Sequence, residues 1–125
     1  MAKKEKNCME EENLQTMPCK GELAEDAFTA RAMDEDLIEG ATAFFKIFGD
    51  KTRLRILLAL EGKELCVHTL SHILNVNQTT LSHQLKILRD FGLVCCRRAD
   101  KHVFYQLKDD HIKAILDIAT EHINE

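Results

Sequence analysis

A chain of 125 residues with 45% apolar and 30% charged side chains has the size and composition of one folded domain with a tail. It holds no apolar run of the about eighteen residues that a membrane span needs, and its start lacks a secretory apolar stretch. The net charge of −4 argues against a generic nucleic-acid binder, but that charge is unevenly placed. Residues 1–40 hold eleven acidic and five basic side chains, whereas residues 41–102 hold ten basic and five acidic ones.

The chain opens with a segment that has little apolar periodicity. Residues 1–21 contain Pro18 and Gly21, which predicts a flexible acidic N-terminal arm in front of a folded domain over residues 22–125. We expect a cytoplasmic protein with no membrane partner. In that compartment five cysteines, an odd number, indicate metal or redox chemistry rather than a disulfide framework.

Apolar residues spaced by three and four predict two helices at the start of the folded domain. The first has Leu37 and Phe48 at the two ends of its apolar face and ends at Gly49. Asp50 is placed to cap the second helix, which we expect over residues 51–60. Both helices should bury their apolar faces in one core.

Four further elements follow in chain order. A short helix over residues 67–74 is followed, after a two-residue break, by a longer helix over residues 77–91. Two runs rich in β-branched and aromatic residues, 93–98 and 102–107, flank a polar tip and predict a β-hairpin. A last helix begins at Asp109 or Asp110 and runs to the C-terminus.

This order of helix, helix, short helix, turn, helix, hairpin and helix predicts a winged helix-turn-helix domain, mainly α with a small β-hairpin. The helix over residues 77–91 takes the recognition position. One stripe of the last helix should pack on the rest of the domain: Ile112, Leu116, Ala119 and Ile123. A second apolar stripe, with Ile115 and Ile118 in its middle, needs another partner, which predicts a homodimer through the terminal helices.

The exposed side of the recognition helix and the basic hairpin predict a surface for double-stranded DNA. Hydroxyl and amide side chains near a helix N-terminus suit base edges and phosphates in a major groove, and cations at the hairpin suit a neighbouring phosphate backbone. The predicted DNA-binding residues are Gln78, Thr79, Thr80, Ser82, His83, Gln84, Lys86, Arg97, Arg98 and Lys101. An ordinary solvated helix face is the alternative, and the arrangement of elements favours DNA over it.

The two ends of the last helix carry residues of metal-ligand type. His111 and His122 lie three turns apart, about 16 Å along the axis at roughly 1.5 Å per residue, so one chain cannot join them on one ion. Two antiparallel helices across a two-fold axis would bring Asp109 and His111 of one chain to His122 and Glu125 of the other. Two oxygen and two imidazole ligands suit tetrahedral zinc or cobalt. Ordinary polar helix ends are the alternative, since aspartate is also a good N-cap.

Four motifs together resemble the ArsR/SmtB family of metal-responsive repressors. They are Glu64-Leu65-Cys66-Val67, Leu81-Ser82-His83-Gln84-Leu85, Lys101-His102-Val103-Phe104-Tyr105-Gln106-Leu107 and the closing Asp109, His111, His122 and Glu125. The resemblance implies a homodimer that binds a palindromic operator when metal-free. Metal would release the operator and so derepress genes of metal efflux or sequestration. Zn(II) is the expected ion, with Cd(II), Pb(II) or Co(II) as alternative inducers.

The resemblance also implies a second, thiolate-containing metal site. Cys66 matches the family's cysteine before the turn, and Cys8 and Cys19 of the partner's arm could complete the site. His68 stands where the family's Cys-x-Cys version has a second thiol, which favours zinc or cadmium over trivalent arsenic. The alternative is that Cys66 is a small buried apolar residue and the arm cysteines are incidental.

Two alternative functions remain at the level of sequence. One is a winged-helix repressor switched by oxidation of Cys8, Cys19 and Cys66, and the other is a metal-buffering or protein-docking module that does not bind DNA. An enzyme is not expected, because no glycine-rich phosphate loop, nucleophile elbow or His-Glu-x-x-His pattern is present. We accordingly expect no small-molecule substrate.

Overall fold

The computed structural model describes residues 27–125, which form helices and one antiparallel sheet. The elements are α1 (Ala27–Ala32), α2 (Glu35–Phe48), α3 (Lys51–Ala59), β1 (Leu65–Cys66), α4 (Val67–Leu74), α5 (Gln78–Asp90), β2 (Val94–Ala99), β3 (His102–Leu107) and α6 (Asp110–Ile123). The predicted helices and the hairpin are confirmed, in the predicted order. The arm predicted over residues 1–21, with its cysteines Cys8 and Cys19, lies outside the described residues.

Short polar side chains define where the helices begin. Asp34 accepts a hydrogen bond from the Leu37 N–H at 3.1 Å, and Asp50 accepts one from the Arg53 N–H at 3.0 Å. Such caps satisfy N–H groups that have no partner inside the helix, and each is worth about 1 kcal/mol. At the other end of α4, Asn75 takes the left-handed conformation, with φ of 55°, and so closes that helix ahead of α5.

The core lies where α3, α4 and α5 meet the sheet. Its fully buried members are apolar: Ile56, Leu57, Leu60, Leu70, Leu81, Leu85, Leu88, Leu93 and Val94. In the described part of the chain no polar or charged residue is buried. Leu81, Leu85 and Leu88, which share the inner side of α5, all belong to this core, so packing against α3 and α4 fixes how α5 is held.

The sheet has the strand order β1-β3-β2. The predicted hairpin pairs Val94 with Leu107 and Ala99 with His102, and Asp100 at its tip has φ of 56°. The sequence did not predict β1, because a two-residue strand has no periodicity of its own. It pairs Cys66 with Phe104, and this pairing places the start of α4 against the hairpin.

The helices α2 and α6 differ from the expected packing. On α6, Ile112 and Leu116 are buried as predicted, but the prediction is wrong for Ala119 and Ile123, which are exposed within this chain. Among residues 27–125, nothing covers Ile118 and Ile123 in the second half of α6, which are 66% and 50% exposed. On α2, Ile47 is buried while Phe45 is 63% exposed. Both α2 and α6 therefore have apolar side chains that are exposed to solvent.

Candidate nucleic-acid interface and metal ligands

The recognition helix presents a continuous polar face. Asn77 caps α5 by accepting the Thr80 N–H at 2.8 Å, which fixes the start of the helix beside the turn. From there the predicted DNA-binding residues of the first two turns are exposed: Gln78, Thr79, Thr80, Ser82 and His83. These side chains are amides, hydroxyls and an imidazole, which can exchange hydrogen bonds with base edges or phosphates.

Gln84 differs from its neighbours on α5, because it is half-buried and engaged inside the chain. Its Oε1 accepts a hydrogen bond of 3.0 Å from Nη1 of Arg53, and Nε of the same arginine donates to the Ile47 carbonyl at 3.0 Å. Arg53 thus joins the end of α2, α3 and the recognition helix. In this structure Gln84 contributes to the orientation of α5 more directly than to its exposed face.

Lys86 is exposed and forms an ion pair of 3.0 Å with Asp90, one turn further along α5. A pair between exposed residues at this spacing contributes little to stability and is weakened by salt. Lys86 can therefore exchange its carboxylate partner for a DNA phosphate at small cost.

The three cations of the hairpin are not equivalent. Arg97 makes two hydrogen bonds of 2.7 Å to the carboxylate of Glu64, and its guanidinium lies 5.1 Å from the centre of the Phe104 ring. The hydrogen bonds from Arg97 hold the pKa of Glu64 below its usual value. Arg98 and Lys101 are exposed and have no ion-pair partner among residues 27–125, so they are the hairpin cations most available to a phosphate backbone.

A contact that the sequence did not predict joins α4 to the recognition helix. Nε2 of Gln78 lies 3.2 Å from Nδ1 of His68, and both side chains are exposed. His68 is a predicted ligand of the second metal site, and Gln78 is the first residue of α5. A predicted metal ligand and a predicted DNA-binding residue are therefore in direct hydrogen-bond contact.

Cys66 immediately precedes α4, and its half-buried thiol has polar neighbours. Sγ lies 3.3 Å from the hydroxyl of Thr69, and this hydrogen bond is the main cause that lowers the pKa of the thiol. A lowered pKa raises the fraction of thiolate, which is the form that binds metals and reacts with oxidants. The structure thus gives Cys66 more than the character of an inert core residue.

Asp109 and His111 lie together at the start of α6. Oδ1 of Asp109 accepts the backbone N–H groups of His111 at 3.0 Å and of Ile112 at 3.3 Å, and it is 3.4 Å from Nδ1 of His111. Partial burial raises the pKa of Asp109, but the Ile112 and His111 hydrogen bonds outweigh it and hold the pKa below its usual value. The imidazole of His111 is 89% exposed, so this carboxylate–imidazole pair faces outward.

His122 and Glu125 lie exposed at the opposite end of the same helix. Within residues 27–125 no three histidine, cysteine, aspartate or glutamate side chains come close enough to hold one ion. The structure therefore joins Asp109 with His111 and keeps this pair apart from the other end of α6. Each end holds an oxygen and an imidazole donor, which fits half of a four-ligand zinc site.

None of the helices between residues 27 and 125 is long and apolar enough to cross a membrane.

In comparisons with known proteins, residues 50–95 match the family described as bacterial regulatory protein, arsR family. The SmtB homolog of Synechocystis sp., a transcriptional repressor, is 37% identical over 93 residues, covering 74% of this chain and 70% of that protein. The CadC homolog of Staphylococcus aureus, a cadmium resistance transcriptional regulatory protein, is 39% identical over 83 residues, covering 65% and 68%.

Solved structures agree with these relatives. HlyU from Vibrio cholerae superposes with a TM-score of 0.67 and 32% identity, covering 74% of this chain and 100% of that one. The superposition covers most of the chain, and the resemblance to the ArsR/SmtB family is confirmed. The chain belongs to the ArsR/SmtB family of metal-responsive, winged helix-turn-helix transcriptional repressors, which are DNA-binding regulators and not enzymes.

Proposed function

We propose that this protein is a metal-sensing repressor that binds operator DNA as a metal-free homodimer and is released by Zn(II), Cd(II) or a similar ion. Release would derepress genes of metal efflux or sequestration. The observation that carries the proposal is that metal-ligand residues lie at both ends of α6, with Asp109 and His111 at one end and His122 and Glu125 at the other. Each half is incomplete alone, and the chain also has an exposed recognition face.

The names of the relatives support a response to metal. One is a transcriptional repressor of the SmtB type, and another is a regulator of cadmium resistance. Their similarity to this chain extends over most of the described residues. The proposed response to metal rests on this similarity. The proposed identity of the ion rests on the ligand chemistry of this chain.

A second copy of the chain is the expected partner of the terminal helices. Most of the large apolar side chains that are exposed among the described residues lie on α2 and α6: Leu37, Ile38, Phe45, Ile118 and Ile123. Burial of such surface stabilises association by about 25 cal/mol for each Å² removed from water. A two-fold axis that pairs α6 with its copy in antiparallel orientation would cover the exposed apolar side chains of α6 and also bring opposite helix ends together.

The donor set at such an interface suits zinc. Oδ1 of Asp109 already caps α6, which leaves its other oxygen for a ligand, and the exposed imidazoles of His111 and His122 can turn without loss of packing. Together with Glu125 they offer two nitrogen and two oxygen donors, the set that tetrahedral zinc or cobalt accepts. Four protein ligands leave no open position, which is typical of a structural or regulatory site.

Cys66 supports a second site for softer ions such as Cd(II) or Pb(II). We propose that Cys66 and His68 contribute to it, with Cys8 and Cys19 of the partner's arm as further ligands. The lowered pKa of the Cys66 thiol favours coordination at neutral pH. The same property favours one other candidate function, a repressor that is switched by cysteine oxidation. Loss of DNA binding with peroxide but not with zinc or cadmium would support that candidate instead.

Metal titrations of operator binding test the proposal. An operator fragment is first selected from random-sequence DNA by the metal-free protein, and release is then followed by fluorescence anisotropy. We expect His122→Ala to raise the zinc concentration for half-release by at least about tenfold, because even an outer-shell partner of a metal contributes that much. Glu121→Ala, one residue away on the water-facing side of α6, is the matched control.

Cys66→Ser separates the two sites. If the thiolate site governs release by cadmium, Cys66→Ser should weaken the cadmium response and leave the zinc response of the terminal-helix site in place. Normal release of His122→Ala by zinc would contradict a regulatory role of the terminal-helix site. Failure of metal-free protein to select any DNA would contradict the repressor function itself.

A further inference from the structure

The contact between His68 and Gln78 fixes the hydrogen-bonding pattern of an exposed amide. Nε2 of Gln78 carries two hydrogens and no lone pair, so their 3.2 Å contact is a hydrogen bond only in the ring tautomer in which Nδ1 of His68 accepts. The neutral ring then carries its proton on Nε2. The amide of Gln78 is thereby held with its nitrogen toward α4, and its Oε1 and second N–H point elsewhere.

The position of Gln78 makes that orientation relevant to DNA. It is the first residue of the recognition helix and is exposed. A glutamine oxygen and one N–H can together bind the N6 amino group and N7 of an adenine in the major groove. The N–H given to His68 is not needed for that pair, so the His68 contact orients the amide and leaves its bidentate edge available.

We propose that His68 is a positioning residue that sets Gln78 to read an adenine, and that coordination of His68 by a metal ion cancels this setting. The first part concerns metal-free protein, and the second part rests on the proposed function. The sequence separation of ten residues and the intervening turn place the two side chains together only in the folded protein.

The chemistry of imidazole explains why coordination would alter Gln78. A metal bound by Nδ1 takes the lone pair that Gln78 uses. A metal bound by Nε2 requires that nitrogen to lose its proton, and in a neutral ring the proton then resides on Nδ1, which becomes a donor. Gln78 would have to turn its oxygen toward His68. The amide would then present the reverse pattern to the DNA, so either mode of coordination disturbs the same contact.

The test compares operator binding of metal-free variants by fluorescence anisotropy. We expect His68→Ala and Gln78→Ala each to weaken operator binding about two- to tenfold, the usual effect of losing one ordered side chain or hydrogen bond at an interface. Both should lose discrimination at the same A·T pair when each operator position is substituted in turn. The double variant should be no weaker than Gln78→Ala alone.

The salt dependence distinguishes positioning from loss of charge. Neither substitution removes a phosphate contact of a cation, so the slope of affinity against salt concentration should stay as in the unaltered protein. His72→Ala, one turn further along α4 and also exposed, is the matched control and should bind as the unaltered protein does. Unchanged affinity and base profile in His68→Ala, or additive losses in the double variant, would overturn the positioning role.

The coupling to metal is tested with cadmium alone on chains that already carry His122→Ala. In this background we expect cadmium to weaken operator binding less when His68→Ala or Gln78→Ala is added. Equal release with and without His68→Ala would refute the coupling while leaving the repressor function intact. If the unaltered protein selects no DNA at all, the proposed function fails first, and this inference falls with it.

Discussion

The recognition helix α5 and the closing helix α6 both expose polar side chains, but they are supported in different ways. On α5, Gln78 is in hydrogen-bond contact with His68 and Gln84 with Arg53, both from the same chain. On α6, the ligand-type residues stand in two pairs at opposite ends, and between them Ile112 and Leu116 are buried while Ile118 is exposed. Under the proposed function, this difference means that one chain would build its own DNA-binding surface, whereas the proposed metal site would need two chains.

This division offers a simple physical route for regulation. If metal binds between chains, it can change how two complete recognition surfaces are placed relative to each other, without unfolding either. Operator half-sites one helical turn apart require the two recognition helices at about 34 Å. A metal that binds better to a different arrangement weakens DNA binding, and DNA must weaken metal binding by the same factor.

The largest effect is expected from a substitution that disrupts the proposed dimer and nothing else. Ile118 on α6 is 66% exposed within one chain, so Ile118→Glu should leave the core intact and prevent association. We expect a folded monomer by sedimentation and circular dichroism, with operator affinity lower by about a hundredfold or more, because simultaneous binding to two half-sites is lost. Zinc binding should fail in the same variant.

Leu58→Glu on α3 is the control for that experiment, since Leu58 is also exposed (42%) but lies on neither α2 nor α6. It should remain dimeric and bind operator and zinc normally. A dimeric Ile118→Glu protein with normal zinc affinity would show that α6 is not the interface.

A smaller effect is expected when the support of α5 is removed. Arg53→Ala deprives the Gln84 side chain and the Ile47 carbonyl of their half-buried donor, and the stability of the chain should fall by about 1 to 3 kcal/mol. Urea unfolding measures this loss. Zinc affinity and the dimer should be unaffected, because α6 takes no part in the contact.

Arg55→Ala provides the comparison, because Arg55 lies on the same helix and is exposed. Its loss should leave stability unchanged within a few tenths of a kcal/mol, as is usual for surface substitutions. An equal loss of stability in both variants would mean that the bridge from Arg53 to α5 contributes nothing specific.

The smallest effect is that of acid on two carboxylates, one beside the hairpin and one at the start of α6. Glu64 beside the hairpin and Asp109 at the start of α6 have pKa values held below their usual range, chiefly by the Arg97 hydrogen bonds for Glu64 and by the α6 N–H groups for Asp109. A lowered pKa in the folded state contributes stability above the ordinary carboxyl range of about 4, and this stability is lost as the pH falls through the folded value.

Glu64→Gln and Asp109→Asn should each make stability less dependent on pH between about pH 5 and pH 2, measured by unfolding at a series of pH values. The difference should shrink as salt is added, because the Asp109 side chain is exposed and that of Glu64 is partly exposed. Asp110→Asn, next to the cap but without a cap hydrogen bond, serves for comparison. Parallel pH curves for all three variants and the unaltered chain would contradict the assignment.

Much of the fold follows from local patterns in the sequence. The spacing of Leu81, Leu85 and Leu88 predicted the buried side of α5, and Asp50, Asn77 and Asp109 were recognisable as residues that begin helices. These signals act over three or four residues, the distance at which a helix brings side chains and N–H groups together. The strand β1 escaped prediction because its two residues form a strand only when β3 lies beside them.

The candidate sites could be predicted less completely. The exposed residues of α5 and the pair of Asp109 and His111 were predicted from spacing, and the structure places them as a polar face and a contacting pair. The roles of Arg97 and Gln84 could not be predicted so well. Each has a partner more than thirty residues away in the chain, and spacing within one helix or strand carries no information about such partners.

The sequence by itself determined the order of the helices and the hairpin, the inner faces of α3 and α5, and the presence of ligand-type residues at both ends of α6. Local hydrogen bonds and apolar periodicity suffice for these features. Only the tertiary structure decided that Arg97 is paired with Glu64 and that His68 holds Gln78. The packing of the described residues also leaves Ile118 and Ile123 exposed toward the end of α6. Such contacts depend on how separate elements pack, and packing is a property of the whole domain. The uneven charge of the chain likewise has a structural counterpart, because the basic residues 41–102 include the recognition helix, β2 and the tip of the hairpin.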